Sequence, residues 1–334
     1  MKHFPPYTVT PFYERQILSN EHRKKLRRIV EPSDQEFASR GTLDTSGEED
    51  NTVAPGFQHK YAPTGLILVT GKCFSYCRFC FRKRIVRSGS NEACPDYAAI
   101  VRYIRQHPEI NNVLLSGGDP FTLTTDELHG ILDHLLPIPH LDYIRFGTKA
   151  LVHSPQRFAD PDLPDLFERI RKAGKAAVII LHVDHCGELS PESQSHIRLL
   201  ASSGVEFLHQ AVLLKGVNDD VKSLVDLFKK MHSLGVRPYY LFQARPVRGA
   251  THFQVPLARG VRLVAKVMRH LSGPEKTFRY IMSHVTGKIE ILNLSKDNRL
   301  FMRYHQNKTE SRIGEVFSRP SRQGACWLDE LPIQ

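Results

Sequence analysis

The chain of 334 residues contains no apolar run approaching the roughly 20 residues that a membrane-spanning helix needs. Its opening residues, MKHFPPYTVTPFYERQ, lack the apolar core of a signal peptide, so a cytoplasmic protein is expected. Cysteine is scarce, six residues in all, and is not scattered as a short secreted disulfide scaffold would scatter it. No zinc-finger spacing and no aromatic–basic RNA motif is present. Internal repetition goes no further than a strand–helix unit. The hydrophobic share of 41% excludes a disordered chain. The length suits one large domain of roughly 250 residues with extensions, or two smaller domains.

What is present begins with charge. Lysine and arginine outnumber aspartate and glutamate by 46 to 35, a net +11, which suits an anionic partner: nucleic acid, a membrane surface or a small molecule. HRKKLRR (22–28) predicts the basic face of an N-terminal helix, read as a solvated face ahead of a nucleic-acid contact.

Short apolar runs recur along the middle of the chain: GLILVT (65–70), VLLSGG (113–118), YIRFGT (143–148), AAVIILHV (176–183), EFLHQAVLL (206–214) and RPYYLF (237–242). Segments with helical spacing lie between them, and Gly174 and Gly235 stand where two of those helices should stop. Strand–helix units about 30 residues long predict parallel strands joined by crossovers. A partial barrel and an open doubly wound sheet both fit, and both gather active residues at C-terminal strand ends. Polar residues stand at those ends: the cysteines, Gly117-Gly118-Asp119-Pro120, Thr148-Lys149, then His182, Asp184 and His185. Lys215 to Asp219 follow the fifth run, and Gln243 and Arg245 the sixth. Singly each is an ordinary loop residue; together they point to one shared pocket.

The expected organisation is an N-terminal helical extension and linker over 1–60, a strand–helix domain over 61–272, and a C-terminal segment over 273–334. TLDTSGEEDNT reads as a loop in the first part. FRYIMSH, KIEILNL and RLFMRYH read as short strands in the last, with KDN as a turn.

Three of the cysteines fall within eight residues, Cys73, Cys77 and Cys80, in KCFSYCRFCFRKR. A structural zinc site takes four ligands in two separated pairs, and this triplet has no fourth partner at a familiar spacing. Three thiolates on a four-iron cluster leave one iron open. An open iron can chelate S-adenosylmethionine and pass it an electron, releasing a 5′-deoxyadenosyl radical. Neighbouring cations offset the negative charge of such a cluster. A non-catalytic iron–sulfur or zinc protein that contacts nucleic acid is the alternative of another class.

CxxxCxxC with an aromatic before the last cysteine, followed one strand later by GGDP, resembles the radical S-adenosylmethionine superfamily. CFSYCRFCFRKR, VLLSGGDP, SPQRF, AVLLKGVND, RPYYLFQ and THFQVPLARG together resemble the lysine 2,3-aminomutase family, over about residues 45 to 290. The resemblance implies an α/β fold built as a partial (β/α)6 TIM-type barrel, with a [4Fe–4S] cluster, S-adenosylmethionine and, in its aminomutases, pyridoxal phosphate. It places Cys73, Cys77 and Cys80 on iron. Ser116, Gly117, Gly118 and Asp119 bind the amino end of S-adenosylmethionine through backbone and carboxylate, and His182 and Gln210 line that site. Arg82 clamps the substrate carboxylate, a task suited to a bidentate guanidinium. Lys288, preceded by Gly287, carries pyridoxal phosphate as an imine.

The chain departs from the family pattern in three places. Where the family reads HRYPDR, residues 59–64 are HKYAPT, so Lys60 and Arg78 are the cations left for the cofactor phosphate. The glycine-rich run before the lysine is absent. After YLFQ an aspartate gives way to Arg245, which repels a lysine side chain and attracts an anionic one. The resulting expectation is an aminomutase acting on an amino acid other than free lysine, such as glutamate. A radical enzyme of the same fold without pyridoxal phosphate is the alternative. An electron donor such as a flavodoxin or ferredoxin is implied, no membrane is, nucleic acid is disfavoured, and a homo-oligomer stays open.

Overall fold

A computed structural model of the chain describes residues 6–37, 40–86 and 91–333. Two short helices, α1 (Pro11–Leu18) and α2 (Arg23–Val30), precede β1 (Thr52–Ala54), β2 (Phe57–Tyr61) and β3 (Thr64–Thr70). Strand and helix then alternate through α3 (Tyr97–Gln106), β4 (Asn112–Gly117), α4 (Thr125–Leu135) and β5 (Tyr143–Thr148). Next come α5 (Ala150–His153), α6 (Leu163–Lys172), β6 (Ala176–His182), α7 (Pro191–Ser202) and β7 (Glu206–Leu213). The alternation ends with α8 (Val221–Ser233), β8 (Arg237–Gln243), α9 (Leu257–Met268) and β9 (Arg279–Ser283). Three antiparallel strands close the chain: β10 (Gly287–Leu294), β11 (Arg299–Asn307) and β12 (Val316–Pro320).

All twelve strands form one mixed α/β sheet, in chain order. From β3 to β9 every neighbouring pair is parallel. The segment RYIMS, which the sequence assigned to a separate C-terminal part, is therefore a seventh parallel strand against β8. Local chemistry sets the helix ends. Asp96, Thr124, Ser190 and Asp220 each accept an N-terminal backbone N–H, at α3, α4, α7 and α8. Gly174 and Gly235 adopt φ of +74° and +78° just past α6 and α8, as the stop signals required.

Alternation along the strands divides the sheet into two unlike faces. In β5, Ile144 and Phe146 are fully buried in the main core under the helices. The opposite face carries a small apolar cluster of Val178, Ile180 and Leu208, with Leu114, Tyr143 and Tyr239 packed on it. The C-terminal tail also docks: Trp327 is buried, and Gln243 donates to the Cys326 carbonyl. Among the described residues no helix is long and apolar enough to cross a membrane.

Candidate active site

The loop after β3 carries Cys73, Cys77 and Cys80, all half-buried, and burial pushes each thiol upward. Cys73 is also affected by Asp119, Cys80 and Cys77, so the three thiols share one neighbourhood, although their sulfurs do not all lie within 4.8 Å of one another. Arg82 opposes the shift at Cys73, Lys83 and Arg82 at Cys80, and Lys149 at Cys77. Three soft donors on one loop with cations around them fit a four-iron cluster, larger than a single ion, with one iron left open, and its assembly would release the thiol protons.

The turn after β4 is jammed against this loop. Gly118 donates to the Thr70 carbonyl at 2.6 Å, and the Asp119 N–H to that of Lys72 at 2.7 Å. A Cβ on Gly118 would lie 1.9 Å from the Lys72 oxygen, so only glycine allows this approach. The Asp119 carboxylate is already engaged: it accepts from Thr148 Oγ1 at 2.8 and 2.9 Å, from the Lys149 N–H at 2.8 Å and from the Phe121 N–H at 3.1 Å. Its side chain ties β4 to β5, whereas the sequence had it facing a ligand. Burial pushes the carboxyl upward, against the pull of Lys149 and Thr148.

Behind the turn, Lys149 Nζ sits between Asp184 Oδ2 at 2.9 Å and Glu188 Oε1 at 2.8 Å, all three buried. Tyr13 donates to Glu188, and His182 Nε2 meets Asp184 Oδ1 at 3.0 Å. Burial opposes both charges, yet His182 and Lys149 hold Asp184 well below the carboxylate range, and the two carboxylates hold Lys149 above the lysine range. His182 is thereby fixed edge-on to Phe79, with ring centroids 5.7 Å apart, beside the cysteine loop. Gln210 pairs in register with His182 on one side and Tyr240 on the other.

Arg82 donates through Nε to Glu48 Oε1 at 2.8 Å and through Nη1 to Ser116 Oγ at 3.0 Å. Arg84 takes the other Glu48 oxygen at 2.9 Å. Glu48 belongs to the segment read as a loop in the linker, yet it is only 4% exposed. Burial would raise its carboxyl, but Arg82 and Arg84 hold it below the usual range. Arg245 lies over the Phe81 ring at 3.9 Å and donates to the hydroxyls of Ser46 at 2.7 Å and Ser283 at 2.9 Å. Burial lowers its pKa to about 10. Arg78 is a correction. Expected beside the cofactor phosphate, it instead holds Glu36 bidentately at 2.8 and 2.6 Å, fully buried, because this pair fastens the N-terminal segment.

Lys288 lies on β10 with Nζ 4.9 Å from the Tyr240 ring centre and 5.5 Å from that of Tyr61. Burial, then Arg145, Arg245 and Lys60, lower its pKa to about 7. Lys60 donates to the carbonyls of Ser46 and His284, and burial takes its pKa to about 7 as well. The Tyr61 hydroxyl and Arg145 Nε are buried with no partner among the described residues. A depressed amine among cations, with donors left over, fits an aldehyde cofactor that bears a phosphate.

Sequence reasoning missed Glu48 and Arg145. Arg145 left a signal, one cation inside the apolar run YIRFGT. Glu48 left none, since its partners lie more than thirty residues away.

No family model matches the chain. An Aquifex aeolicus protein provisionally named L-lysine 2,3-aminomutase is 39% identical over 326 residues, covering 97% of this chain and 87% of that one. The L-lysine 2,3-aminomutase of Clostridium subterminale is 32% identical over 79% of this chain, and the glutamate 2,3-aminomutase of Clostridioides difficile 36% over 69%. These matches span 63% and 54% of the two clostridial proteins. Enzymes of this kind are radical S-adenosylmethionine isomerases that use a [4Fe–4S] cluster, S-adenosylmethionine and pyridoxal phosphate. The chain belongs to the lysine 2,3-aminomutase family.

Proposed function

We propose that this protein is an aminomutase that holds pyridoxal phosphate on Lys288 and acts on an amino acid with a second anionic group, in preference to free lysine. The observation that carries this reading is the unmatched positive charge around Lys288. Arg145 and Arg245 have no carboxylate within ion-pair distance among the described residues, and the amine they flank has a pKa of about 7. In this reading Cys73, Cys77 and Cys80 hold the cluster. The backbone of Ser116 to Gly118, with His182, lines the S-adenosylmethionine site, and Gln210 bridges toward Tyr240. When bound, the cluster and S-adenosylmethionine supply a carbon radical that takes hydrogen from the substrate; pyridoxal phosphate supplies a conjugated ring across which nitrogen can migrate.

The chain's own residues position the substrate. Glu48 and Ser116 fix Arg82 by Nε and Nη1, leaving Nη2 for the substrate α-carboxylate. Arg245, stacked on Phe81 and held by two neutral hydroxyls, keeps its charge for a side-chain carboxylate. The name of the glutamate-specific relative supports that choice. The parallel strands would curve as an incomplete β/α barrel that brings these groups together. The setting is a cytoplasmic one, with electrons from a flavodoxin or ferredoxin.

Protein reconstituted without oxygen and supplied with pyridoxal phosphate tests the reading. After borohydride reduction, peptide mapping is expected to place pyridoxyl on Lys288, and glutamate or aspartate to yield a β-amino product. Rapid turnover of free lysine would overturn the substrate assignment. S-adenosylmethionine cleavage with no pyridoxyl adduct would favour an enzyme without pyridoxal phosphate, the reading to which Thr64 and the carbonyl-bound Lys60 lend weight.

A further inference from the structure

Arg145 is a cation in the middle of an apolar strand. Its neighbours Ile144 and Phe146 are fully buried beneath the helices, so alternation turns the guanidinium to the opposite face of the sheet. That face carries Tyr143, Tyr239 and the cluster of Val178, Ile180 and Leu208. Little in the protein satisfies it there. Nη2 reaches Thr64 Oγ1 at 3.5 Å, the outer limit of a hydrogen bond, and Nε has no partner among the described residues. The nearest recorded ring contact is Tyr143, 5.9 Å from the guanidinium carbon. Arg145 is half-buried with its Nε covered, and among the described residues no carboxylate pairs with it, so an anion that arrives to match it would be favoured.

Two other cations stand near Lys288, and both are better satisfied. Arg245 gives a nitrogen to each of two hydroxyls and stacks on Phe81. Lys60 gives its amine to two carbonyls. Arg145 Nη2 reaches Thr64 while Lys288 Nζ lies 5.5 Å over the ring of Tyr61, so both cations face the same β2–β3 turn, and Arg145 is the first-ranked charge acting on the Lys288 amine.

We propose that Arg145 is the main anchor for the phosphate of the cofactor held at Lys288, with Nε and the η nitrogens as its donors and Lys60 as a secondary positive charge. The proposal rests on the reading of Lys288 as the cofactor lysine. A guanidinium suits a phosphate because two of its N–H groups can meet two oxygens at once.

The test compares pyridoxal phosphate with pyridoxal, which has the same aldehyde and no phosphate. Reconstituted wild type, Arg145→Gln and Arg145→Lys are titrated with each, and the fraction of Lys288 carrying pyridoxyl after borohydride is read by mass spectrometry. At a pH above the Lys288 midpoint, Arg145→Gln should weaken pyridoxal phosphate by about 30-fold and pyridoxal far less, by only the small change in amine titration that both aldehydes share. Arg145→Lys should fall between them. Inorganic phosphate should compete with pyridoxal phosphate in the wild type and hardly at all in Arg145→Gln. Equal losses for both aldehydes, or no loss for either, would overturn the role of Arg145. Should Arg145→Gln not fold, Arg145→Lys decides: a selective loss supports the proposal, and unchanged affinity for both overturns it. Wild type that captures neither aldehyde on Lys288 would instead sink the cofactor reading beneath it.

Discussion

Strand β5 and its continuation carry two cations, four positions apart, in opposite circumstances. Lys149, just past the strand end, lies between two buried carboxylates at 2.9 and 2.8 Å. Arg145, inside the strand, has a threonine hydroxyl at 3.5 Å and an Nε with no partner among the described residues. The same contrast holds over the two regions they belong to. On the cluster side, Asp119, Asp184 and Glu188 are each engaged, and Arg82 and Arg84 share Glu48. Around Lys288, Lys60, Arg145 and Arg245 have only neutral hydrogen-bond partners among the described residues. Matched charges hold a scaffold in one shape. Unmatched ones, half-buried as Lys60, Arg145, Arg245 and Lys288 are, leave charge available to a ligand.

The sharpest test of this contrast is a pair of lysine-to-methionine changes. Lys149→Met leaves Asp184 and Glu188 buried without their cation and should cost about 3–5 kcal/mol, read as the urea midpoint of the cluster-free chain. Lys288→Met removes an amine that no hydrogen bond holds among the described residues, so stability should stay level or rise, while the pyridoxyl adduct disappears. Equal destabilisation by both would erase the distinction between scaffold and receptor.

Glu48 lies where the two regions meet, and changing it has a smaller effect. Glu48→Gln keeps one acceptor but loses the charge and the second oxygen, so Arg82 is less firmly held and Arg84 is released. The expected cost is about 2 kcal/mol in stability and about a tenfold rise in substrate KM, with kcat little changed. A fall in KM would show instead that Glu48 competes with the substrate for Arg82, which would make the linker segment a plug.

The scaffold half of this picture was largely legible in the sequence. Short apolar runs recurring in strand–helix units, with glycine stops, pointed to the parallel strands and helix ends, and the cysteine spacing to the loop. The seventh parallel strand escaped because RYIMS reads the same whether it pairs parallel or antiparallel. The site was legible residue by residue but not pair by pair. Arg78 looked like a spare cation because its partner Glu36 lies 42 positions earlier, and Asp119 looked free because Thr148 lies 29 positions later. Which cations are matched is a property of the folded chain, and that decides which of them can serve a ligand.

The smallest effect expected is one of pH. Lys288 and Lys60 have folded pKa values near 7, below the ordinary value of about 10.4. Between those limits the unfolded chain binds more protons than the folded one. Their contribution to stability therefore rises with pH from about 7 to 10, and is flat below 7, where both states are protonated. Reactivity follows the same titration, because only the neutral amine attacks an aldehyde. The rate of pyridoxal phosphate capture at Lys288 should rise about tenfold from pH 6 to 8 and then level off, whereas an ordinary lysine would keep climbing. Arg145→Gln should move the midpoint upward by removing a neighbouring charge, but not to the ordinary value, since burial is the larger cause. A midpoint that ignores Arg145 would place the guanidinium outside the set of charges that tunes the amine, and would remove β5 from the receptor side of the contrast.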